Sequence, residues 1–320
     1  MGADVSRRGW ALFAAMCVIW GIPSLLLRVA VRDVSPGTLV FMRTGIGGLV
    51  LLPLALRSGG FGPVLRRWKP LVAFTVLEIA VPWLLLGNAE EHLPSSLTGL
   101  LVAATPLVSV VAGRLTGTGD HVDARRWAGL LLGLLGVGVL VGLDLGSVSG
   151  LALVEVGLVT IGYATAPIIM ATQLSDLPRF PVVSAALLLS AVAWAPYGLT
   201  HWPRHVAATG VASIVVLGLV CTALAFVVFF ALIAEIGPNR ATVITYVNPA
   251  VAVALGLLLL NEQFTVGMGV GFPLILIGSV LAASTGRRAA SPAVLAGDAA
   301  PSVVDAYPAM RWQSQASDSG

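Results

Sequence analysis

Residues 105–108 read Thr105-Pro106-Leu107-Val108, and 143 positions later the chain reads Asn248-Pro249-Ala250-Val251. Each stretch lies near the middle of a long apolar run. A second landmark recurs at nearly the same offset, because Pro36 and Pro181 each open an apolar run and lie 145 positions apart. The sequence therefore predicts that one structural unit occurs twice, over residues 10–143 and 150–285.

The composition places these apolar runs in a membrane. Of 320 residues, 57% are hydrophobic and 10% are charged, and the mean hydropathy is +0.95, whereas about a quarter of the residues of an ordinary soluble domain are charged. The runs are continuous over about 20 residues, as spanning helices require, and do not alternate as barrel strands do. We therefore expect an all-α integral membrane protein. Its predicted spans are residues 10–28, 36–56, 71–88, 95–115, 127–143, 150–172, 182–200, 210–234, 241–260 and 266–285.

The number of spans in each unit determines how the two units are related. Five is odd, so the second unit enters the membrane from the side opposite to the first. The prediction is ten transmembrane helices arranged as two inverted five-helix repeats, an arrangement typical of transporters that bind substrate near the bilayer midplane. Channels also use inverted repeats, so a facilitative, channel-like pore stays open as an alternative.

The basic residues predict the orientation. With a cytoplasmic N-terminus (residues 1–9), thirteen Lys and Arg residues fall on the inner side and three on the outer side, which satisfies the positive-inside rule. Both termini are expected in the cytoplasm and the protein in the inner (plasma) membrane. Residues 286–320 are rich in Ala, Pro, Ser and Asp and are predicted to form a disordered cytoplasmic tail.

Several other classes of protein receive no support. Cys17 and Cys221 both lie in apolar runs and form no CxxC pattern, and the basic residues form no cluster that would bind nucleic acid. An intramembrane enzyme is the less favoured alternative, because the sequence has no HExxH motif and no aspartate well inside a predicted span. Glu90-Glu91-His92 is interpreted as a solvated turn in an outer loop, so neither a metal nor a cofactor is predicted.

Two charged residues fall well inside predicted spans, where a charge is costly unless it has a partner or a function. Arg43 lies in the second span and Glu78 in the third. Three interpretations stay open: a buried ion pair between the two, an Arg43 that holds a substrate carboxylate or phosphate, and a Glu78 that couples transport to protons. The last two are compatible, because arginine stays charged while a desolvated glutamate can titrate.

Polar residues beside proline kinks are the other candidates for a substrate cavity. A proline within a helix frees a backbone carbonyl and bends the helix, although such a kink can also serve packing alone. Aromatic and hydroxyl side chains in the middle of other spans are further candidates. The predicted substrate-binding residues, besides Arg43 and Glu78, are Trp20, Thr105, Pro106, Tyr163, Thr222, Tyr246, Asn248 and Pro249.

Glycines recur at close spacing in the fifth and tenth predicted spans. Small residues allow helix backbones to approach closely. These spans are therefore expected to pack tightly, either within the monomer or against a second subunit in a homodimer. They include Gly129, Gly133, Gly136, Gly271 and Gly278.

Taken in order, the motifs resemble the EamA branch of the drug/metabolite transporter superfamily over residues 10–285. They are Ile19-Trp20-Gly21, Pro36, Thr105-Pro106-Leu107, and the run from Tyr246 to Glu262 that ends Leu260-Asn261-Glu262. The resemblance implies a ten-helix fold of two inverted repeats, cytoplasmic termini, and export or exchange of amino acids, metabolites or toxic compounds. The expected function is a secondary transporter that exports a small metabolite or amino-acid-like compound by alternating access, with proton coupling through Glu78 as a further hypothesis.

Overall fold

The structure is a computed structural model, and it describes residues 6–117, 123–142, 149–237, 241 and 243–283. Regular structure in these residues is helical throughout. The predicted disordered tail, residues 286–320, lies outside the described residues. The principal helices are α1 (Arg7–Ala30), α2 (Pro36–Arg57), α3 (Trp68–His92), α4 (Ser95–Leu115), α5 (Ala124–Gly142), α6 (Gly150–Gln173), α7 (Arg179–Thr200), α8 (Ala208–Ile236), α9 (Ile244–Leu259) and α10 (Val266–Ala283).

The lengths and hydropathy of these helices confirm an all-helical membrane protein. The helices α1 to α8 are each long and apolar enough to cross a membrane. The helices α9 and α10 are apolar but shorter, so their crossing of the bilayer stays a prediction. A short helix, Gly62–Arg66, lies in the link between α2 and α3.

Two of the long helices contain a break at a proline. In α1 the first segment, Arg7–Gly21, ends before Ile22, and Pro23 begins the second segment, Pro23–Ala30. In α4 the segment Ser95–Val102 is followed by a turn at residues 103–104, after which the helix restarts at Thr105. Proline is well placed at such a start, because the first turn of a helix needs no amide donor from it.

Two other helices contain a wider, π-helical turn. It spans Val76–Ala80 in α3 and Leu219–Leu224 in α8. The two turns start 143 positions apart, which is the offset of the sequence repeat. The two halves of the chain therefore carry the same irregularity at equivalent positions. Such π-helical turns often accompany functional sites.

The packing between helices follows a regular pattern. The most extensive contacts join α5 to α10 and α2 to α7. The helix α1 packs on α8 and α9, and α6 packs on α3 and α4. If each helix is exchanged with the one five places along the chain, the contacts of α1 with α8 and α9 become those of α6 with α3 and α4. The pairs α5–α10 and α2–α7 are unchanged by the same exchange.

The glycines of α5 and α10 face one another within the chain. A β-carbon on Gly136 would lie 2.7 Å from the amide nitrogen of Ile275, and one on Gly129 would lie 2.7 Å from the carbonyl oxygen of Gly278. The close packing expected from these glycines is therefore made inside the monomer, and a homodimer stays a prediction that these residues do not support.

The interpretation of Glu90-Glu91-His92 as a solvated turn in an outer loop is wrong for the loop and for Glu90, whereas Glu91 and His92 are exposed. These residues form the last turn of α3, and the Glu90 side chain is 0% exposed. Glu90 is buried by residues that are distant in sequence. Arg28 and Ser24 of α1 and Glu262 of the link between α9 and α10 lie beside it.

Candidate functional site

The central polar side chain of the bundle is Arg43 on α2, which is 5% exposed. Its Nε–H donates to the Thr222 hydroxyl in the π-helical turn of α8, over 3.0 Å. The guanidinium carbon lies 3.6 Å from the centre of the Trp83 ring on α3. Three helices therefore hold one cation, which a tryptophan face stabilises by a cation–π interaction.

The wide turn of α8 positions Thr222 to accept the arginine. The Thr222 hydroxyl donates its own hydrogen to the carbonyl oxygen of Leu217, five residues earlier, over 2.8 Å. Its lone pairs are therefore left to accept from Arg43. The side chain of Thr222 also packs against Gly47 of α2, where a β-carbon would lie 3.2 Å from the threonine Cβ, so the small glycine lets α8 come this close.

Tyr163 of α6 brings the fourth helix to the site. It lies within electrostatic range of both Arg43 and Glu78, and its hydroxyl is within hydrogen-bonding reach of the Trp83 side chain. Glu78 lies in the π-helical turn of α3 and is partly buried, and its Oε2 has no hydrogen-bond partner. Three predicted residues, Arg43, Tyr163 and Thr222, thus come together, and Glu78 is linked to them through Tyr163.

The structure does not show the ion pair that sequence reasoning allowed between Arg43 and Glu78. The ion pairs found in the described part of the chain are Arg8 with Glu235 and Arg67 with Asp176. Arg43 uses its Nε for Thr222, and within the same residues no hydrogen bond or ion pair uses its two terminal nitrogens. A buried cation is therefore left with donors pointing at no acidic side chain.

A second group of predicted residues lies where α1 meets α9. The Trp20 ring packs against Phe229 of α8, with ring centres 4.8 Å apart. The neighbouring Gly21 comes so close to α9 that a β-carbon there would lie 3.3 Å from the Asn248 carbonyl oxygen. Asn248 is partly buried, and its Oδ1 has no hydrogen-bond partner.

The two repeated prolines have different local structures. Pro106 stands in the first turn of a restarted helix segment, and the Thr105 hydroxyl donates to the carbonyl of Val102 over 2.7 Å. Pro249 lies buried inside the continuous helix α9, with the partly buried Tyr246 one turn before it. The structure therefore shows a break at one proline and an unbroken helix at the other, and it records no contact that joins Thr105 or Tyr246 to Arg43.

Sequence reasoning missed Trp83, whose ring covers Arg43. One tryptophan in an apolar run carries no signal of its own, because its role depends on how α3 is rotated against α2. Among the described residues, no group of three His, Cys, Asp or Glu side chains is arranged to hold a metal ion.

Comparison with known proteins places this architecture in a family. The model of the EamA-like transporter family matches residues 7–142 and 150–284. The chain belongs to the EamA-like transporter family. Its two matched stretches cover α1–α5 and α6–α10, and they leave out the link of residues 143–149.

Relatives of this family member are named as transporters. An uncharacterized inner membrane transporter, YedA of Escherichia coli (strain K12), is 28% identical over 77% of this chain and 80% of its own length. The uncharacterized transporter YvbV of Bacillus subtilis (strain 168) is 24% identical over 89% of this chain and 94% of its own. An uncharacterized transporter of Archaeoglobus fulgidus is 21% identical over 84% and 96%. The chain is therefore a multi-pass membrane transporter.

A solved structure described only as "Crystal structure of protein" shares the fold. Its TM-score is 0.63 at 20% sequence identity, and the match covers 88% of this chain and 98% of that one. At this identity the likeness concerns the fold alone.

Proposed function

We propose that this protein is a secondary transporter that exports a small metabolite or amino-acid-like compound bearing a carboxylate or phosphate group. The observation that carries the proposal is the buried Arg43, whose terminal guanidinium nitrogens have no acidic partner in the described part of the chain. A charge in a desolvated site costs several kcal/mol unless an opposite charge compensates it. A substrate anion is such a charge, and guanidinium binds carboxylate and phosphate through two parallel hydrogen bonds.

The surroundings of Arg43 suit this role. Thr222 and Trp83 hold the guanidinium group in place, so little further ordering of Arg43 is needed when an anion binds. Trp83 and Tyr163 offer apolar and aromatic surface to the rest of the solute. Where α1 meets α9, the Oδ1 of Asn248, which has no hydrogen-bond partner, offers a hydrogen-bond acceptor.

Alternating access is proposed to come from two inverted five-helix repeats, residues 10–143 and 150–285. Three observations support this arrangement: the family model matches two successive stretches, the helix packing is conserved on exchanging α1–α5 with α6–α10, and both halves carry a π-helical turn at the same offset. Such halves can rock about a site at their interface. The excess of arginine on one side supports a cytoplasmic location of both termini and insertion in the inner membrane.

Glu78 is proposed to couple export to protons. Its Oε2 has no hydrogen-bond partner, and it lies within electrostatic range of Tyr163, which is itself within electrostatic range of Arg43. Protonation of Glu78 can therefore respond, through Tyr163, to an anion that binds at Arg43. A proton on Glu78 removes a negative charge near the anion site, and release of the proton restores it. Binding of the substrate anion and ionisation of Glu78 would then alternate.

The test uses purified protein in liposomes with an imposed pH gradient, and a panel of amino acids and other small metabolites offered one at a time. Arg43→Gln is expected to abolish transport in every assay. Arg57→Gln, an exposed arginine at the end of the same helix, is the matched control and is expected to transport normally. Glu78→Gln is expected to retain counter-flow of labelled substrate but to lose transport driven by the pH gradient.

Three outcomes would contradict parts of this proposal. If Arg43→Gln transports at the wild-type rate, Arg43 does not bind the substrate anion. Flux that rises linearly with substrate and shows no counter-flow would favour a facilitative pore. If Glu78→Gln shows normal transport driven by the pH gradient, Glu78 does not couple transport to protons. That result would not contradict anion binding by Arg43.

A further inference from the structure

The last turn of α3 contains a buried acid that the central site does not use. The Glu90 side chain is 0% exposed, and neither of its carboxyl oxygens has a hydrogen-bond partner. Glu91, the next residue, is exposed. Burial of Glu90 is therefore specific to its own position on the helix and not a property of the whole turn.

A cation lies beside this acid but does not bind its carboxyl group. Nη1 of Arg28, at the end of α1, donates to the main-chain carbonyl oxygen of Glu90. The guanidinium and the carboxyl group are within electrostatic range, and the Ser24 hydroxyl of α1 lies next to the same carboxyl group. Arg28 is thus close enough to pair with Glu90 but makes a different hydrogen bond in this conformation.

A second carboxyl group nearby is held in its charged form. Oε1 of Glu262 accepts from the amide and hydroxyl of Ser95 over 2.7 and 2.9 Å, and Oε2 accepts from those of Ser96 over 3.0 and 2.5 Å. Burial raises the pKa of Glu262, but these four hydrogen bonds together outweigh it and the net pKa is lowered. Glu262 therefore acts on Glu90 as a fixed negative charge at the N-terminus of α4.

We infer that Glu90 is a proton-binding site, and that it carries a proton in the conformation seen here. An ionised carboxylate inside a helix bundle and beside a charged Glu262, with only the Ser24 hydroxyl close enough to donate to it, would be costly. The protonated form avoids that cost. Loss of the proton to water leaves a carboxylate that Arg28 can pair with, and the guanidinium must then turn away from the Glu90 main-chain oxygen.

The other charged groups around this end of α3 do not supply an alternative counter-ion. On α6, Glu155 is also an acid, and its Oε1 accepts from Asn88 over 3.2 Å. On α3 itself, Glu91 and His92 are exposed. The charged residues of α2 are Arg43, which donates to Thr222, and Arg57, at the end of the helix away from the Pro36 contact with α3. The single charged residue of α4, Arg114, also lies at its far end. Arg28 is therefore the cation placed to receive the ionised Glu90.

The site couples protonation to helix packing. Glu90 is in α3, Arg28 in α1, and Glu262 joins the end of α9 to the start of α4. Water must reach the end of α3 for the proton to leave, which requires these segments to separate. The inference concerns a proton separate from the one proposed for Glu78, and it holds whichever solute is carried.

The test is infrared spectroscopy of the full-length protein in lipid bilayers during a pH titration, because a protonated carboxylic acid has a carbonyl stretching band that a carboxylate lacks. The measurement is made in a Glu78→Gln background so that Glu78 cannot contribute. We expect one buried carboxylic acid band near neutral pH that Glu90→Gln abolishes. Glu91→Gln, an exposed neighbour, is expected to leave the band unchanged.

A second variant tests the partner and does not depend on Glu90→Gln folding. Arg28→Gln removes the cation that stabilises the ionised form, so the band is expected to persist to a higher pH. A band that is unchanged by Glu90→Gln would overturn the proton site. A titration that is unchanged by Arg28→Gln would overturn the pairing with Arg28. Neither result would affect the proposal that Arg43 binds the substrate anion. Failure of this inference can therefore be distinguished from failure of the proposed function.

Discussion

The Nε–H of Arg43 donates to the Thr222 hydroxyl over 3.0 Å and so joins α2 to α8 across 179 positions of sequence. The hydroxyl can accept this bond because its own hydrogen is given to Leu217, at the spacing of a π-helical turn. The irregular turn and the buried cation are therefore parts of one arrangement. The contribution of the Thr222 hydroxyl to this arrangement can be tested by replacing Thr222 with a residue of similar shape that has no hydroxyl.

Thr222→Val keeps the branched side chain and removes the acceptor. A hydrogen bond to a charged group contributes about 1.5–3 kcal/mol, so we expect a loss of stability in this range and weaker binding of the anionic substrate. Thr222→Ser should restore both. The measurements are chemical unfolding in detergent and substrate affinity. The matched control is Thr172→Val, an exposed threonine on α6 that also donates to a backbone carbonyl, and an equal loss there would contradict the role of Arg43.

The contact between α5 and α10 gives a prediction with its control on the same helix. A β-carbon on Gly136 would lie 2.7 Å from the Ile275 amide, whereas one on Gly138 would meet nothing within 4 Å. Gly136→Ala should therefore destabilise the protein by about 1–3 kcal/mol through overpacking. Gly138→Ala should be neutral or stabilising by about 0.5–1 kcal/mol, because alanine favours a helix. Thermal unfolding of both variants tests the difference, and equal effects would contradict the packing.

The sequence predicted where most helices lie along the chain, but not which face of each helix packs against its neighbours. Apolar runs predicted a span at residues 95–115, and the structure has Ser95–Leu115. The third span was predicted to end at residue 88 because Glu90 and Glu91 are polar, yet α3 continues to His92. Groups from α1 and from the link after α9 bury Glu90, and these are distant in sequence.

The same limit applies to the candidate site. Arg43 and Glu78 could be found from the sequence, since charges stand out in apolar runs. Their pairing with each other could not be decided, because it depends on which face of α2 meets α3. The contacts of Arg43 with Thr222 and Trp83 depend on that rotation and on a π-helical turn that no spacing of apolar residues reveals.

The end of α9 requires a left-handed residue. Asn261 has φ of +53°, and the turn lets the Glu262 amide reach the Gly256 carbonyl over 3.1 Å. Glycine adopts this conformation without strain, while a β-branched residue is an outlier there. We expect Asn261→Gly to be tolerated or slightly stabilising and Asn261→Val to cost about 1–2 kcal/mol. Unfolding measurements on the pair test this, and a neutral Asn261→Val would mean that the turn is not formed.

The capping of α4 by Glu262 predicts a dependence of stability on pH. The net pKa of Glu262 is lowered by the hydrogen bonds from Ser95 and Ser96, which outweigh burial. A group with a lowered folded-state pKa stabilises the protein fully above its unfolded pKa, about 4.3 for glutamate, and this stabilisation is lost as the pH falls through the folded pKa. The advantage of wild type over Glu262→Gln should therefore be greatest near pH 7.

Glu262→Gln should cost about 1–2 kcal/mol at pH 7, as the loss of a helix cap does. That difference should shrink as the pH falls below about 4.3, because the wild-type carboxylate becomes protonated and loses the same hydrogen bonds. Unfolding of both proteins between neutral and acidic pH measures it. The control is Glu91→Gln, which removes an exposed acid from the same end of the bundle. A difference between wild type and Glu262→Gln that stays constant on acidification would show that the carboxylate charge does not hold the end of α9 on α4.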